Sequence, residues 1–166
     1  MARQLWVLRH AEAEPHGTRS DSERRLTPRG EAQARAAGLA LARLGAVFEA
    51  VLFSPKARAR QTAELAAAEW EGDRRASLRA HGPLASGFDA AQALDAAREL
   101  SADGRLLLVG HEPDLSGMIA ELTGARADLK KGGLAVVRLE AVGGELAALV
   151  RPRELALIAG VPVDGN

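Results

Sequence analysis

The chain has 166 residues, of which 47% are hydrophobic, so it is long enough for one domain with its own buried core. Lys and Arg together number 22, as do Asp and Glu, and this balance excludes the broad positive charge on which general nucleic-acid and membrane-surface binders depend. The absence of cysteine excludes disulfides, thiol nucleophiles and thiolate zinc sites. No apolar run approaches the roughly 18 residues of a membrane span, and we expect a soluble, cytoplasmic protein without nucleic-acid or membrane partners.

Short apolar runs alternate with alanine-rich amphipathic stretches along the first two thirds of the chain. Runs rich in Val and Leu predict strands buried on both faces at residues 5–8, 50–53 and 106–109. A polar loop, residues 11–26, follows the first run. Thr27 as N-cap and Pro28 at the first helical position then predict a helix that runs to about Leu44. Further helices are predicted from the Ser54-Pro55 pair to about residue 70, from about residue 89 to 100, and from residue 113 to just before Gly124.

The last third of the chain changes character. Two apolar segments, residues 134–139 and 145–150, flank Val142-Gly143-Gly144 and predict a β-hairpin, and a short helix is expected from Pro152 to Ala159. Strands that alternate with helices favour an α/β fold. We expect a three-layer sandwich, with a mostly parallel central sheet, helices on both faces and an antiparallel C-terminal edge. Residues 1–160 are predicted to form one domain, and residues 161–166 a loose tail.

Three strand ends carry side chains that can bind and attack an oxyanion. Arg9 and His10 follow the first run, Arg58 lies in the helix start after the second, and His111 follows the run at residues 106–109. Ligands of open α/β sheets bind beyond the carboxyl ends of the strands, so these side chains are expected at one rim. Arginines bind oxyanion oxygens in pairs, helix N-termini add oriented N–H groups, and two imidazoles can supply a nucleophile and a proton donor. The pattern predicts a phosphate pocket that contains a nucleophile.

Each of these residues also has an ordinary structural explanation. A lone His10 at a strand end is more often a cap or a solvent-facing residue, and a lone Arg58 is more often a solvated helix residue. The combination at three strand ends is what favours the functional interpretation. His16 and His81 lie in predicted loops without such company and keep the ordinary explanation. Lys130-Lys131 is expected to be a solvated turn, with the steering of an anionic partner as the alternative.

Other common site types are excluded by the sequence. No lysine follows a glycine, so there is no P-loop of the GK[ST] kind, and no G-x-G-x-x-G motif is present. The zinc-protease helix motif is absent because Leu115 stands where His111-Glu112 would need a second histidine. Asp114 stands two residues before Ser116, which excludes a nucleophile elbow. We therefore expect neither a metal nor a cofactor.

The strand-end residues lie in motifs that resemble those of the histidine phosphatase superfamily, and within it the small SixA-like phosphohistidine phosphatases. The matching segments are Leu8-Arg9-His10-Ala11, the D-x-x-R-x-L-T-x-x-G pattern from Asp21 to Gly30, the S-P-x-x-R-A-x-Q-T-A-E pattern from Ser54 to Glu64, and Gly110-His111-Glu112-Pro113. The resemblance implies that His10 is the nucleophile, that Arg9 and Arg58 clamp the phosphate, and that His111 completes the pocket. Arg24 is a further candidate for phosphate binding.

Two departures from the family pattern bear on the substrate. Ala11 stands where larger members usually carry Gly, a change common in the small subgroup. Phosphoglycerate-mutase-like members supply an acidic proton donor after the family's third strand. The corresponding segment here, residues 78–84, contains no acidic residue. An alkoxide leaves poorly without a proton, but an imidazole, with an unperturbed pKa of about 6.5, can leave already protonated. The missing acid favours a phosphohistidine substrate, with Glu12 and Asp89 as the carboxylates that could substitute for it.

Three functions are therefore compared. The first is a phosphatase that removes phosphate from phosphohistidine on a protein, with a phosphotransfer domain as the expected partner. The second is a small-molecule phosphomonoester phosphatase with the same pocket; the lack of a long insertion that could form a lid favours the first. The third is a non-catalytic module that binds phosphorylated proteins, and the intact His10 argues against it because binding needs no nucleophile.

Overall fold

A computed structural model describes residues 2–72 and 76–162. The strands it contains are β1 (Gln4–Arg9), β2 (Ala50–Phe53), β3 (Ser77–Ala80), β4 (Arg105–Gly110), β5 (Leu134–Leu139) and β6 (Gly144–Val150). They form one sheet in the order β3-β2-β4-β1-β5-β6. The strand pairs formed among β1, β2, β3 and β4 are parallel. Strand β5 pairs antiparallel with both β1 and β6. The predicted α/β fold with an antiparallel C-terminal edge is confirmed.

Helices cover both faces of this sheet. They are α1 (Pro28–Arg43), α2 (Ala57–Ala67), α3 (Ala90–Ala97), α4 (Asp114–Thr123) and α5 (Pro152–Ala159). Successive strand residues point to opposite faces, so Leu107 packs with the cluster formed by α1, α2 and α5, while Leu106 and Leu108 pack with the cluster formed by α3 and α4. The predicted three-layer sandwich is confirmed, and it leaves the carboxyl ends of β1, β2 and β4 together at one edge.

The helix boundaries follow from local capping. The Thr27 hydroxyl accepts a hydrogen bond from the Gly30 N–H at 3.0 Å, and Pro28 is the first helical residue, as predicted for α1. The predicted third helix was too long at both ends. Its start differs because the Asp89 carboxylate accepts the Gln92 N–H at 2.9 Å, which makes Asp89 the N-cap outside α3. The second and fourth helices were also predicted too long, since α2 ends at Ala67 and α4 begins at Asp114.

Strand β3 was missed by the search for buried apolar runs. Among the described residues it is an edge strand with β2 as its single neighbour, and three of its four residues are exposed. A strand with one neighbour and solvent around it does not need an apolar run, so its sequence carries no strong signal.

Helices α1 and α2 approach each other closely at Gly38. A Cβ atom at this position would collide with the Ala66 carbonyl of α2. The Gly38 carbonyl also accepts a hydrogen bond from the Trp70 indole at 3.0 Å. Only a glycine permits backbone-to-backbone contact of this kind, so the packing distance between the two helices is set at one residue.

The C-terminal segment continues past α5 into the same packing. The Val161 N–H donates to the Ala156 carbonyl at 3.1 Å, and Val161 packs against the core cluster on the α1, α2 and α5 face. Of the predicted loose tail, residues 163–166 lie outside the described residues. In the part of the chain that the structure describes, no helix has the length and apolar character needed to cross a membrane.

Candidate active site

Four predicted side chains converge at the carboxyl edge of the parallel strands. Arg9 is the last residue of β1, His10 follows it, Arg58 is the second residue of α2, and His111 directly follows β4. His10, Arg58 and His111 are each less than a tenth exposed. The imidazole rings of His10 and His111 have their centroids 5.2 Å apart, at an interplanar angle of 53°. The structure thus brings together residues that are up to a hundred positions apart in the chain.

His10 is held as a neutral imidazole. Its Nδ1 lies 2.8 Å from the Ala11 carbonyl oxygen, and because a carbonyl can only accept, Nδ1 carries the proton. Burial lowers the pKa of His10 to about 3; the Ala11 carbonyl opposes this shift, and His111, Arg58 and Arg9 reinforce it. The Nε2 lone pair is therefore available for attack at neutral pH.

His111 is positioned by a serine that was part of a recognised motif but was not predicted as a site residue. Ser54 is completely buried, and its Oγ lies 2.7 Å from Nε2 of His111. The Lys56 N–H donates to the same Oγ at 3.3 Å, which leaves the hydroxyl proton available to bond Nε2. Burial lowers the pKa of His111 to about 4, and the charges of Arg58 and Lys56 act in the same direction. His111 is therefore neutral as well.

Both arginines are anchored at one end of the guanidinium group. Arg9 donates from Nη1 to the Leu129 carbonyl at 3.0 Å, and Arg58 donates from Nη1 to the Asp21 carbonyl at 2.7 Å. Burial lowers the pKa of each guanidinium from a value so high that both stay charged at neutral pH. Anchoring of this kind fixes the direction of the remaining N–H groups before any ligand binds.

The buried polar atoms without a partner are concentrated in this site. Among the described residues, the buried side-chain nitrogens that make no hydrogen bond are Nε of Arg9, Nε of Arg58 and Nδ1 of His111. An unpartnered buried polar group costs about 1–3 kcal/mol, so such groups are rare unless they serve a ligand. Three such nitrogens lie in this pocket, two of them on cationic side chains, and together they are suited to bind an oxyanion.

Asp21 is a member of this site that the sequence interpretation did not assign. Its carboxylate lies 2.9 Å from Nζ of Lys56, 3.0 Å from Nη2 of Arg24 and 3.4 Å from Nη2 of Arg58. The hydrogen bond from Lys56 is the largest effect on the pKa of Asp21 and, with those of Arg24 and Arg58, holds it well below its usual range, although burial opposes them. Asp21 is therefore an ionised anchor for the two arginines and has no proton to give. Its place in the D-x-x-R pattern was the available signal.

Arg24 reaches the site through that same carboxylate. It is 7% exposed, its Nη1 donates to the Glu14 carbonyl at 2.7 Å, and its Nε and Nη2 both point at Asp21. All three nitrogens are thus engaged within the loop that precedes α1. A direct contact between Arg24 and phosphate stays a prediction.

The spacing of residues in the motif from Ser54 to Glu64 has a local explanation in α2. The Gln61 side-chain oxygen accepts the Leu26 N–H at 2.9 Å, and the Thr62 hydroxyl accepts the Ala11 N–H at 3.1 Å while donating to the Arg58 carbonyl at 2.7 Å. Gln61 and Thr62 of α2 therefore fix the loop before α1, Ala11 and the backbone of Arg58 relative to one another.

The carboxylates considered as substitute proton donors are occupied. Glu12 accepts hydrogen bonds from the Thr27 hydroxyl and from Arg29, each at 2.9 Å, and Asp89 caps α3. His81 donates its backbone N–H to the Phe53 carbonyl at 2.8 Å, which places it at the rim beside β2. Its ring packs edge-on against Phe88 with centroids 6.1 Å apart.

Two of the residues that were given an ordinary explanation from the sequence, His16 and Lys130, have exposed positions. His16 is exposed in the loop before α1, and Lys130 forms an ion pair with Asp128 at 2.8 Å. No cluster of His, Cys, Asp and Glu able to hold a metal ion occurs within residues 2–72 and 76–162.

Comparison with known proteins agrees with this geometry. The family model "Histidine phosphatase superfamily (branch 1)" matches residues 5–80. An uncharacterized protein of Picosynechococcus is 35% identical over 140 residues, which cover 81% of this chain and 84% of the relative. Among solved structures, a protein described as a phosphohistidine phosphatase SixA from Nakamurella multipartitia is 28% identical, with a TM-score of 0.75 and coverage of 92% of this chain and 97% of that one.

Two further solved structures resemble the chain. The protein histidine phosphatase SixA complexed with tungstate is 25% identical, with a TM-score of 0.80 and coverage of 92% of this chain and 99% of that one. An α-ribazole-5′-P phosphatase structure from Escherichia coli has a TM-score of 0.74 and covers 91% of this chain and 98% of its own, but at 21% identity it supports the fold alone. From its motifs, its site and these relatives, the chain belongs to branch 1 of the histidine phosphatase superfamily and is a phosphatase of that family.

Proposed function

We propose that this phosphatase removes the phosphoryl group from phosphohistidine on a protein, through a covalent intermediate on His10. The observation that carries the proposal is the set of three unpartnered buried nitrogens beside a neutral His10. A phosphoryl group there would accept hydrogen bonds from both arginines while its phosphorus faces the free Nε2.

In the first step, Nε2 of His10 attacks phosphorus, and the P–N bond to the substrate imidazole breaks. The bonding electron pair leaves with that imidazole, whose other nitrogen carries a proton. Positive charge develops on the His10 ring, and the Ala11 carbonyl that accepts its Nδ1–H stabilises this charge. Arg9 and Arg58 bind the oxygens on which negative charge is concentrated in the transition state.

In the second step, water attacks the phosphorus of phosphorylated His10. The P–N bond breaks, its electron pair returns to Nε2, and inorganic phosphate leaves with the elements of water. His111 contributes by donating from Nδ1 to a phosphoryl oxygen, in the tautomer that results when Ser54 donates to Nε2. Arg24 is proposed to act with this set through Asp21.

The choice of phosphohistidine rests on the state of the nearby carboxylates. Asp21 is held ionised by Lys56 and Arg24, and the oxygens of Glu12 and Asp89 accept hydrogen bonds from neighbouring residues. A phosphate ester of an alkyl alcohol needs a proton donor for its leaving group, whereas an imidazole does not. A phosphotransfer protein is the partner that presents phosphohistidine on an accessible surface.

The test is a comparison of turnover across leaving groups. We expect a phosphorylated phosphotransfer domain to be hydrolysed fastest, an aryl phosphate more slowly, and an alkyl phosphate at least about a hundredfold more slowly than the aryl ester, the usual range for a missing general acid. His10→Ala is the matched control for each substrate. Equal turnover of alkyl esters and phosphohistidine would contradict the proposal and favour the small-molecule phosphatase.

A further inference from the structure

A groove of about 530 Å³ runs between α1 and α5 on the face that also carries α2. Its floor is apolar, with Ala32, Ala36 and Leu39 from α1 and Ala156 from α5. Val161, beyond α5, also lines it. The site described above uses none of these residues.

The rim of this groove is positively charged, although the whole chain has a net charge of zero. Its charged residues are Arg29, Arg35, Arg153 and Glu69, and Arg29 is already paired with Glu12 at 2.9 Å. Glu69 lies 3.7 Å from Arg35, a distance typical of a weak surface pair. Arg153 is exposed, and no ion pair to it occurs among the described residues. An acidic surface would therefore meet an unneutralised arginine here.

The groove is continuous with the backbone of the catalytic residues. Gln33, which lines it, accepts the Glu12 N–H at 3.0 Å, two residues beyond His10. Gly132 donates its N–H to the carbonyls of Arg9 and His10, and a Cβ on Gly132 would lie 3.6 Å from Cβ of Pro152 at the groove wall. The residues that line the groove are thus joined by hydrogen bonds and packing to the backbone that carries Arg9 and His10.

We propose that this groove docks an acidic, amphipathic helix of the protein that carries the phosphohistidine. The proposal rests on the proposed function. The apolar floor suits one face of a helix, and the arginine rim suits the acidic residues that flank such a face. None of the residues that line the groove belongs to the phosphate site, so an aryl phosphate bound at His10 is expected to make no use of the groove, whereas a protein substrate can.

Charge reversal on the rim tests the inference. The probes are a phosphotransfer domain of net negative charge, phosphorylated on histidine with phosphoramidate, and p-nitrophenyl phosphate. Arg153→Glu is expected to raise KM for the protein about tenfold at low ionic strength with kcat retained, and to leave both constants for p-nitrophenyl phosphate unchanged. High salt should reduce the difference. Arg98→Glu, a 79% exposed side chain at the end of α3 on the opposite face, is the matched control.

A second variant fills the groove without altering charge. Ala32→Trp, at an exposed position of α1, should raise KM for the phosphorylated domain and spare p-nitrophenyl phosphate. Unchanged KM for the protein in both variants would overturn the docking site while leaving the proposed function intact. Failure of the wild type to hydrolyse any phosphohistidine protein, with p-nitrophenyl phosphate turned over, would refute the proposed function and the docking site together. If Ala32→Trp instead converts a dimer to a monomer in sedimentation, the occupant is a second copy of the chain and the inference is wrong.

Discussion

Lowering the pH from 7 to 5 should destabilise this protein through its two buried active-site histidines. Burial lowers the pKa of His10 to about 3 and that of His111 to about 4, so both stay neutral in the folded protein at pH 5. In the unfolded chain each histidine takes up a proton near its ordinary pKa of about 6.5. The unfolded state therefore binds more protons, and stability is lost as the pH falls below about 6.5.

The size of the effect follows from linkage. Between pH 7 and pH 5, a histidine that titrates only in the unfolded chain lowers the free energy of unfolding by about 2 kcal/mol. We expect about this loss from His10 and a similar one from His111. Carboxylates contribute to the same pH range, so a variant that removes one imidazole is needed to isolate its share.

Urea unfolding in phosphate-free buffer at the two pH values measures this share. His10→Asn has no titrating imidazole, and its loss of stability between pH 7 and pH 5 should be smaller than that of the wild type by about 2 kcal/mol. His16→Asn, at an exposed loop position, is the control for loss of a histidine. An identical pH dependence in wild type and His10→Asn would refute the argument, because it would mean that the buried imidazole titrates as it does in the unfolded chain.

Further predictions concern the charge around the pocket. Arg58→Lys keeps the positive charge but loses the planar guanidinium group that can donate two parallel hydrogen bonds, so kcat should fall about a hundredfold. Arg60→Lys on the same helix serves as the control. Asp21→Asn removes the anion that lies beside Arg58 and Lys56, so inorganic phosphate should become a several-fold stronger competitive inhibitor. Ser54→Ala should lower kcat about tenfold, because the tautomer of His111 is no longer fixed. Steady-state kinetics after dialysis against EDTA should be unchanged, since arginines supply the positive charge.

The two charge substitutions and the EDTA test each have a result that would contradict the reasoning. Unchanged turnover of every substrate by Arg58→Lys would mean that the bidentate fork is not used. Weaker inhibition of Asp21→Asn by phosphate would mean that the carboxylate orders Arg58 for binding more than it competes with the ligand. Loss of activity in EDTA, with recovery on addition of a divalent ion, would mean that the site was misassigned.

The convergence of Arg9, His10, Arg58 and His111 could be predicted because of where parallel strands end. Arg9, His10 and His111 follow buried apolar runs directly, and Arg58 stands in the helix start after another, so the chain order alone places them at one edge. Their chemistry was equally visible, since guanidinium and imidazole groups at such an edge suit few ligands other than an oxyanion. The α/β class followed from the same alternation of runs and helices.

The parts that could not be predicted depend on contacts between distant segments. Asp21 acquires its role from Lys56 and Arg58, and Ser54 acquires its role from His111, and neither pairing has a periodic or capping signature. Glu12 and Asp89 could be considered as acids only because the sequence did not reveal the hydrogen bonds that occupy them. Pattern reasoning thus identifies residues of suitable chemistry, while their protonation states require the tertiary structure.

The close contact at Gly38 has a consequence for how the active site tolerates change. Because the backbones of α1 and α2 meet at Gly38 and Ala66 with no room for a side chain, this contact sets the spacing of the two helices and with it the position of Arg58 in α2. A larger residue at position 38 would push the two helices apart at a point two turns from the clamp. The phosphate pocket would then widen while every residue in it remained unchanged, so a site of this precision can be lost through a position that never touches the substrate.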